Sequence, residues 1–187
     1  MRIVGGRLSG RTLATPATDR IRPTSDRLRE SVFNIITHGY GGVADKRVID
    51  LYAGTGALAL EALSRGARFA LLVDDGTEAR ALMRANIETL GLGGATRIFR
   101  RDARKLGLAP AGEPFDIAFL DPPYGRDLAL PTLLALRDGG WLKEQAVVLV
   151  EEAASSIVPV PEGFKLDEQR LFGDTQVVFL RRASPSM

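Results

Sequence analysis

From residue 47 onward, short apolar runs alternate with stretches of helical periodicity, and this alternation constrains the fold more than any other feature. Val48-Ile49-Asp50-Leu51-Tyr52 reads as a buried strand, followed by a glycine-rich turn and a helix through Leu58, Leu60 and Leu63. Phe69 to Val73 repeats the strand, and Thr77 to Leu90 gives a second helix closed by Gly91. Thr96–Phe99, Phe115–Leu120 and Ala146–Val150 are three further strands, with a helix near Leu128–Leu136 between the last two. Continuous apolar strands are buried on both faces, and parallel strands need helical crossovers. The fold class is therefore α/β, a mainly parallel sheet covered on both sides. The C-terminal pattern differs. Leu166–Phe172 and Gln176–Leu180 flank Gly173-Asp174, a two-residue loop suited to a type II′ turn, so an antiparallel C-terminal hairpin is expected.

Ahead of this core, alternations such as Arg2-Ile3-Val4 and Arg11-Thr12-Leu13 suit a small N-terminal β-hairpin extension turning near Gly5-Gly6 or Ser9-Gly10. Ser25 is a plausible N-cap for a helix whose Leu28, Val32, Ile35 and Ile36 recur at helical spacing. Charge separates this head from the rest. Residues 1–30 carry seven arginines against three acids, whereas the whole chain of 187 residues is only +2. A basic segment on a mildly acidic body points to a polyanionic partner. The expected division is a basic extension over 1–22, a main domain over 23–183 and a frayed tail over 184–187. Cysteine is absent and His38 is the only histidine, which excludes disulfides and leaves almost no basis for a zinc site. No metal is expected. With no apolar run near the ~18 residues of a membrane span, and no signal-peptide core, a cytoplasmic location is expected.

Two motifs carry chemistry. Asp50-Leu-Tyr-Ala53-Gly54-Thr-Gly56 stands at the first strand-to-helix junction, where glycines admit a ligand close to the backbone. Asp74 ends the second strand and can accept hydrogen bonds from ribose hydroxyls. Gly54-Thr-Gly56-Ala-Leu-Ala59 also satisfies the dinucleotide pattern G-x-G-x-x-A. The Asp50 carboxylate tilts the choice, because it would repel a pyrophosphate and attract a ligand with sulfonium and amino cations.

The second motif, Asp121-Pro122-Pro123-Tyr124, follows the buried strand Phe115–Leu120. Two prolines remove two backbone donors, so the loop offers acceptors: the Asp121 carboxylate and the Pro122 carbonyl. An exocyclic amine on a nucleobase has two N–H groups to match them. Tyr124 supplies a flat face for stacking on an unpaired or flipped base. The plainer alternative is a strand ending in a Pro-rich turn with Tyr124 as packing.

These residues resemble class I methyltransferases that use S-adenosyl-L-methionine, in the branch that methylates amino nitrogens through a D/N/S-P-P-Y/F motif. The resemblance extends further. Arg2 to Leu13, Arg22-Pro-Thr-Ser-Asp-Arg27-Leu-Arg29-Glu30-Ser-Val-Phe33-Asn34, Gly56 to Arg65 and Gly140-Trp141-Leu142 look like the RsmD family. That family methylates the N2 amine of a guanine in 16S rRNA, of the position 966 type. The resemblance implies a Rossmann-like class I methyltransferase sheet, S-adenosyl-L-methionine as cofactor, and 16S rRNA or the small ribosomal subunit as partner. It places the cofactor loop at Asp50, Ala53, Gly54 and Gly56, the ribose carboxylate at Asp74, and an adenine-contacting position at Asp102 with Ala103 beside it. The family commonly has Glu at the ribose position, where this chain has Asp74-Asp75. Asp121, Pro122, Pro123 and Tyr124 form the implied catalytic loop. Arg7, Arg11, Arg20 and Arg22 are the candidate RNA-binding residues.

The rival readings are an adenine-N6 methyltransferase, a non-catalytic RNA-binding assembly factor with a relic cofactor site, and a nicotinamide oxidoreductase. The short basic head argues against the first, and intact Asp50, Gly54, Gly56 and Asp121 against the second. The third lacks an acid–base residue at the strand ends. Trp141 reads as packing beneath a turn, His38 as a surface or cap residue, and Arg100-Arg101 as the solvated flank of Asp102.

Overall fold

The computed structural model of the chain describes residues 1–17 and 24–184. It contains two compact units, Met1–Arg100 and Arg101–Met187. In the first unit, helix α1 (Asp26–Gly39) starts where Ser25 Oγ accepts the Leu28 N–H at 3.1 Å. Its buried face is Arg29, Val32, Phe33 and Ile36, so an arginine takes a core position that apolar spacing alone assigned to Leu28. Strands β1 (Arg47–Leu51), β2 (Phe69–Val73) and β3 (Thr96–Phe99) are parallel, with Arg47↔Phe69 to Leu51↔Val73 and Ala70↔Thr96 to Val73↔Phe99 in register. Helices α2 (Ala57–Ser64) and α3 (Thr77–Leu90) make the crossovers. Ile49, Leu51, Leu60, Leu72 and Met83 are fully buried, each worth about 1.5–3 kcal/mol relative to exposure.

The N-terminal segment forms a minimal hairpin, with a single antiparallel bridge, Arg2↔Thr12, and no extended strand. Ile3 and Leu13 N–H bond the Arg11 and Met1 carbonyls across it, and other backbone donors go to α2. Val4 and Gly5 N–H bond the Glu61 carboxylate at 2.9 and 2.7 Å, and Arg7 N–H bonds the Ser64 carbonyl at 2.9 Å. Gly6 (φ +77) lies so close to α2 that a Cβ would fall 2.0 Å from the Ser64 carbonyl oxygen. Ile3 and Leu13 are buried, so this segment belongs to the core of its unit.

The second unit contains β4 (Phe115–Leu120), α4 (Ala129–Asp138), β5 (Leu142–Ala153), β6 (Phe164–Phe172) and β7 (Thr175–Arg182). β5 runs parallel to β4 and antiparallel to β7, which in turn pairs antiparallel with β6. Gly173 (φ 61) turns the expected C-terminal hairpin, and Asp174 stays outside the left-handed region, the φ pattern of a type II′ turn. Trp141 is fully buried, donating its indole N–H to the Gly107 carbonyl at 2.9 Å and stacking on Phe115. The sheet is seven-stranded, in the order β3-β2-β1-β4-β5-β7-β6, mostly parallel with antiparallel C-terminal strands. This is the class I methyltransferase architecture expected from the sequence. Among the described residues no helix is long and apolar enough to cross a membrane.

Candidate active site

In the first unit the chain leaves β1 through a tight curl: Tyr52, Gly54 and Gly56 have φ of 61, 58 and 81°. Gly56 caps α2 without a side-chain bond, and Asp50 takes over part of that work. Asp50 Oδ2 accepts the Ala59 N–H at 3.1 Å, placing a carboxylate at the positive end of the helix dipole. Its other oxygen, Oδ1, is buried with no hydrogen-bond partner, and Asp50 as a whole is 1% exposed. Burial pushes the Asp50 carboxyl well above the usual carboxylate range; the Ala59 bond opposes the shift and the Asp74 charge adds to it. An unpartnered buried acceptor beside a positive-φ glycine loop fits a cationic ligand and would not suit a pyrophosphate. Ala53 is buried and bonded to the Val73 carbonyl at 3.1 Å, and Gly54 is half-buried.

Asp74 stands at the end of β2 and organises the loop itself. Its Oδ2 accepts the Gly54 N–H at 3.0 Å and its Oδ1 the Gly76 N–H at 2.8 Å. A carboxylate has about four acceptor positions, so two remain for a ligand. Asp75 is exposed, whereas Asp74 is half-buried.

In the second unit Asp102 caps the short 3₁₀ turn Ala103–Lys105, accepting the Arg104 N–H at 2.9 Å. The Arg104 guanidinium also grips it at 3.0 and 2.7 Å, and holds its carboxyl below the ordinary range. Ala103 is buried.

The Asp121–Tyr124 loop follows β4 directly. Asp121 and Tyr124 are half-buried, Pro122 is buried and Pro123 exposed. Tyr124 Oη donates to Glu151 Oε1 at 2.5 Å and lies 3.1 Å from Thr175 Oγ1. Burial and the Glu151 bond raise the phenol above the ordinary tyrosine range. The next residue is held as well, with Gly125 N–H donating to Glu152 Oε1 at 3.1 Å. Glu151, Glu152 and Thr175 were not among the residues singled out from sequence. The available signal was two adjacent acids directly after the apolar run Ala146–Val150, at the same carboxyl end as the loop.

Of the four candidate RNA-binding arginines, Arg7 and Arg11 are exposed, and Arg11 also donates to the Thr89 carbonyl at 3.1 Å. Arg20 and Arg22 lie outside the described residues. His38 is exposed in the last turn of α1. Arg100 and Arg101 are exposed, and Arg101 donates to the Leu106 carbonyl at 2.5 Å.

The family described as conserved hypothetical protein 95 matches residues 1–181. Ribosomal RNA small subunit methyltransferase D of Escherichia coli strain K12 is 37% identical over 174 residues, covering 92% of this chain and 85% of the relative. The protein of the same name from Haemophilus influenzae is 31% identical over 176 residues, covering 92% and 89%. A solved Escherichia coli structure described as a candidate methyltransferase, YhhF, superposes with a TM-score of 0.83 at 32% identity, covering 98% of each chain. A match of this extent, over motifs in the same order, makes the chain a member of the conserved hypothetical protein 95 family, the RsmD family.

Proposed function

We propose that this protein transfers a methyl group from S-adenosyl-L-methionine to the N2 amine of a guanine in small-subunit ribosomal RNA. The observation that carries the reading is the Asp121–Tyr124 loop, an acceptor-only edge beside an aromatic face, anchored through Tyr124 and Gly125 to β5 and β7. The named activity of the Escherichia coli and Haemophilus influenzae relatives supports it.

When bound, S-adenosyl-L-methionine supplies a methyl group made electrophilic by its sulfonium. The reading assigns Asp50, Ala53, Gly54, Gly56 and Asp74 to holding it, with Asp50 Oδ1 facing its positive charge and Asp74 its ribose. It assigns Asp102 and Ala103 to the adenine.

Guanine N2 is a weak nucleophile because its lone pair is delocalised into the ring. The Asp121 carboxylate and the Pro122 carbonyl each accept one of its N–H groups, which favours a pyramidal nitrogen and aims the lone pair. Tyr124 stacks on the base and keeps it outside the RNA structure. Orientation and electrostatics supply the acceleration, since attack angle and charge stabilisation are set before reaction. The methylated nitrogen is strongly acidic, so its proton leaves to solvent without a dedicated base. Arg7 and Arg11, with Arg20 and Arg22, bind RNA phosphates.

The test is single-turnover transfer from labelled S-adenosyl-L-methionine to small subunits isolated from cells lacking this modification. Asp121→Ala is expected to lower the rate at least 100-fold, on the order of one lost preorganised acceptor, with cofactor affinity unchanged. Asp121→Asn retains one acceptor and partial activity. A wild-type rate in Asp121→Ala refutes the mechanism.

A further inference from the structure

Glu151 and Glu152 are consecutive residues of β5, so their side chains leave opposite faces of the strand. They nevertheless hold consecutive residues of one loop. Glu151 takes the Tyr124 hydroxyl at 2.5 Å, and Glu152 takes the Gly125 N–H at 3.1 Å. The loop therefore crosses the carboxyl end of β5 and is gripped from both faces. Neither grip is a surface accident. Glu152 is only 4% exposed and also accepts the Ala153 N–H at 2.8 Å, so both backbone donors converge on one buried carboxylate. Thr175 is buried, pairs with Ala153 in the sheet and lies 3.1 Å from the same phenol oxygen. Gln176 braces this strand end by donating to the Ala153 and Ser156 carbonyls at 2.7 and 2.6 Å.

A tyrosine held at its hydroxyl keeps the position and axis of its ring, whereas a ring anchored only at Cβ swings about its first side-chain torsion. Building a carboxylate into the end of a sheet has no packing benefit, and burial of Glu152 requires those amide donors to offset its desolvation. The arrangement fits preorganisation of a stacking surface.

We propose that Glu151 is a positioning residue for methyl transfer: with Thr175 it fixes the position of the Tyr124 ring, while Glu152 holds the following backbone, so that the base meets a preformed platform. The proposal rests on the guanine-methylation reading and adds to it residues that act through Tyr124 without touching substrate. Because its hydroxyl is committed to Glu151, Tyr124 acts as a surface and not as a proton carrier.

The experiment compares wild type, Glu151→Ala, Glu151→Gln, Tyr124→Phe and the double variant Tyr124→Phe/Glu151→Ala. Single-turnover rates are read at saturating small subunits, and cofactor affinity is read by calorimetry. Glu151→Ala should lower the rate roughly tenfold, with cofactor affinity and melting temperature close to wild type. Glu151→Gln, whose amide oxygen accepts the same bond, should recover most of the rate. The double variant should be no slower than the slower single one, since both remove one tether. A merely structural glutamate would instead shift melting temperature and leave the two substitutions additive. Ultraviolet titration of tyrosine reads the tether without substrate: with Tyr124→Phe as reference, Glu151→Ala should bring Tyr124 ionisation to lower pH. Wild-type rates in Glu151→Ala, or additive losses in the double variant, overturn the proposal. An inactive wild type refutes the guanine reading instead, and an unmoved titration in Glu151→Ala then overturns the tether independently.

Discussion

Removing the Glu61 carboxylate should unseat the N-terminal segment, and the structure sets the size of the effect. Glu61 is fully buried on α2. Its Oε2 accepts the Val4 N–H at 2.9 Å and Arg29 Nε at 3.4 Å, and its Oε1 accepts the Gly5 N–H at 2.7 Å and Arg65 Nε at 3.0 Å. Arg29 is also fully buried; it bonds the Arg2 and Thr24 carbonyls and the Asp26 carboxylate. Glu61→Ala leaves a buried guanidinium short of one of its two acidic partners and two amides without acceptors. Breaking a buried ion pair from one side costs about 3–5 kcal/mol. In a chain of this size each kcal/mol lowers the melting temperature by about 2–4 °C, so a fall of roughly 6–20 °C is expected. Thermal melting by circular dichroism measures it, and amide exchange at Val4 and Gly5 should accelerate beyond the global change. A melting temperature within 2 °C of wild type, with those amides still protected, would refute this reasoning.

Gly54 has φ 58°, so Gly54→Val should strain the loop and fill ligand space; calorimetry should show cofactor affinity reduced more than tenfold. Ligand-free Asp50→Asn should abolish a pH dependence. Because burial raises the folded-state pKa of Asp50, its neutral form stabilises the fold fully below about pH 4, and that contribution is lost as pH rises through the folded value. The melting temperature of Asp50→Asn relative to wild type should therefore climb from pH 4 to pH 8; a constant difference would contradict the assignment. Arg7→Gln should weaken RNA binding and flatten its log–log salt slope by about 0.7–0.9, read by titration at several salt concentrations. An unchanged slope would remove Arg7 from the interface.

The βα alternation was legible because buried parallel strands are written as continuous apolar runs; β2, β3 and β4 fall where Phe69–Val73, Thr96–Phe99 and Phe115–Leu120 stand. β5 is longer than its apolar centre, Ala146–Val150. Its polar ends are extended by pairing, Glu151↔Val177 and Ala153↔Thr175, and a residue's partner on a neighbouring strand leaves no local signal. The same holds for the glutamates behind Tyr124: two acids after an apolar run mark a strand end, but not that a distant loop supplies the donors that let one of them be buried. At the N-terminus, alternation correctly indicated a hairpin-like turn, yet Glu61 captures the Val4 and Gly5 donors and no extended strand forms. Arg29 occupies a core position for the same reason, its charge matched by Glu61, 32 residues away. Asp50 was legible as a carboxylate facing a ligand because its position before the glycines is itself local.

The chemical identity of the methylated nucleoside is decisive for the proposed function. The full chain should be incubated with methyl-labelled S-adenosyl-L-methionine and small subunits isolated from cells lacking the modification, and the RNA digested to nucleosides for mass spectrometry. Label is expected in N2-methylguanosine from one nucleotide of the small-subunit RNA, absent with Asp121→Ala. Label in N6-methyladenosine, or no transfer to RNA by a wild-type chain that binds the cofactor, would contradict the proposed function.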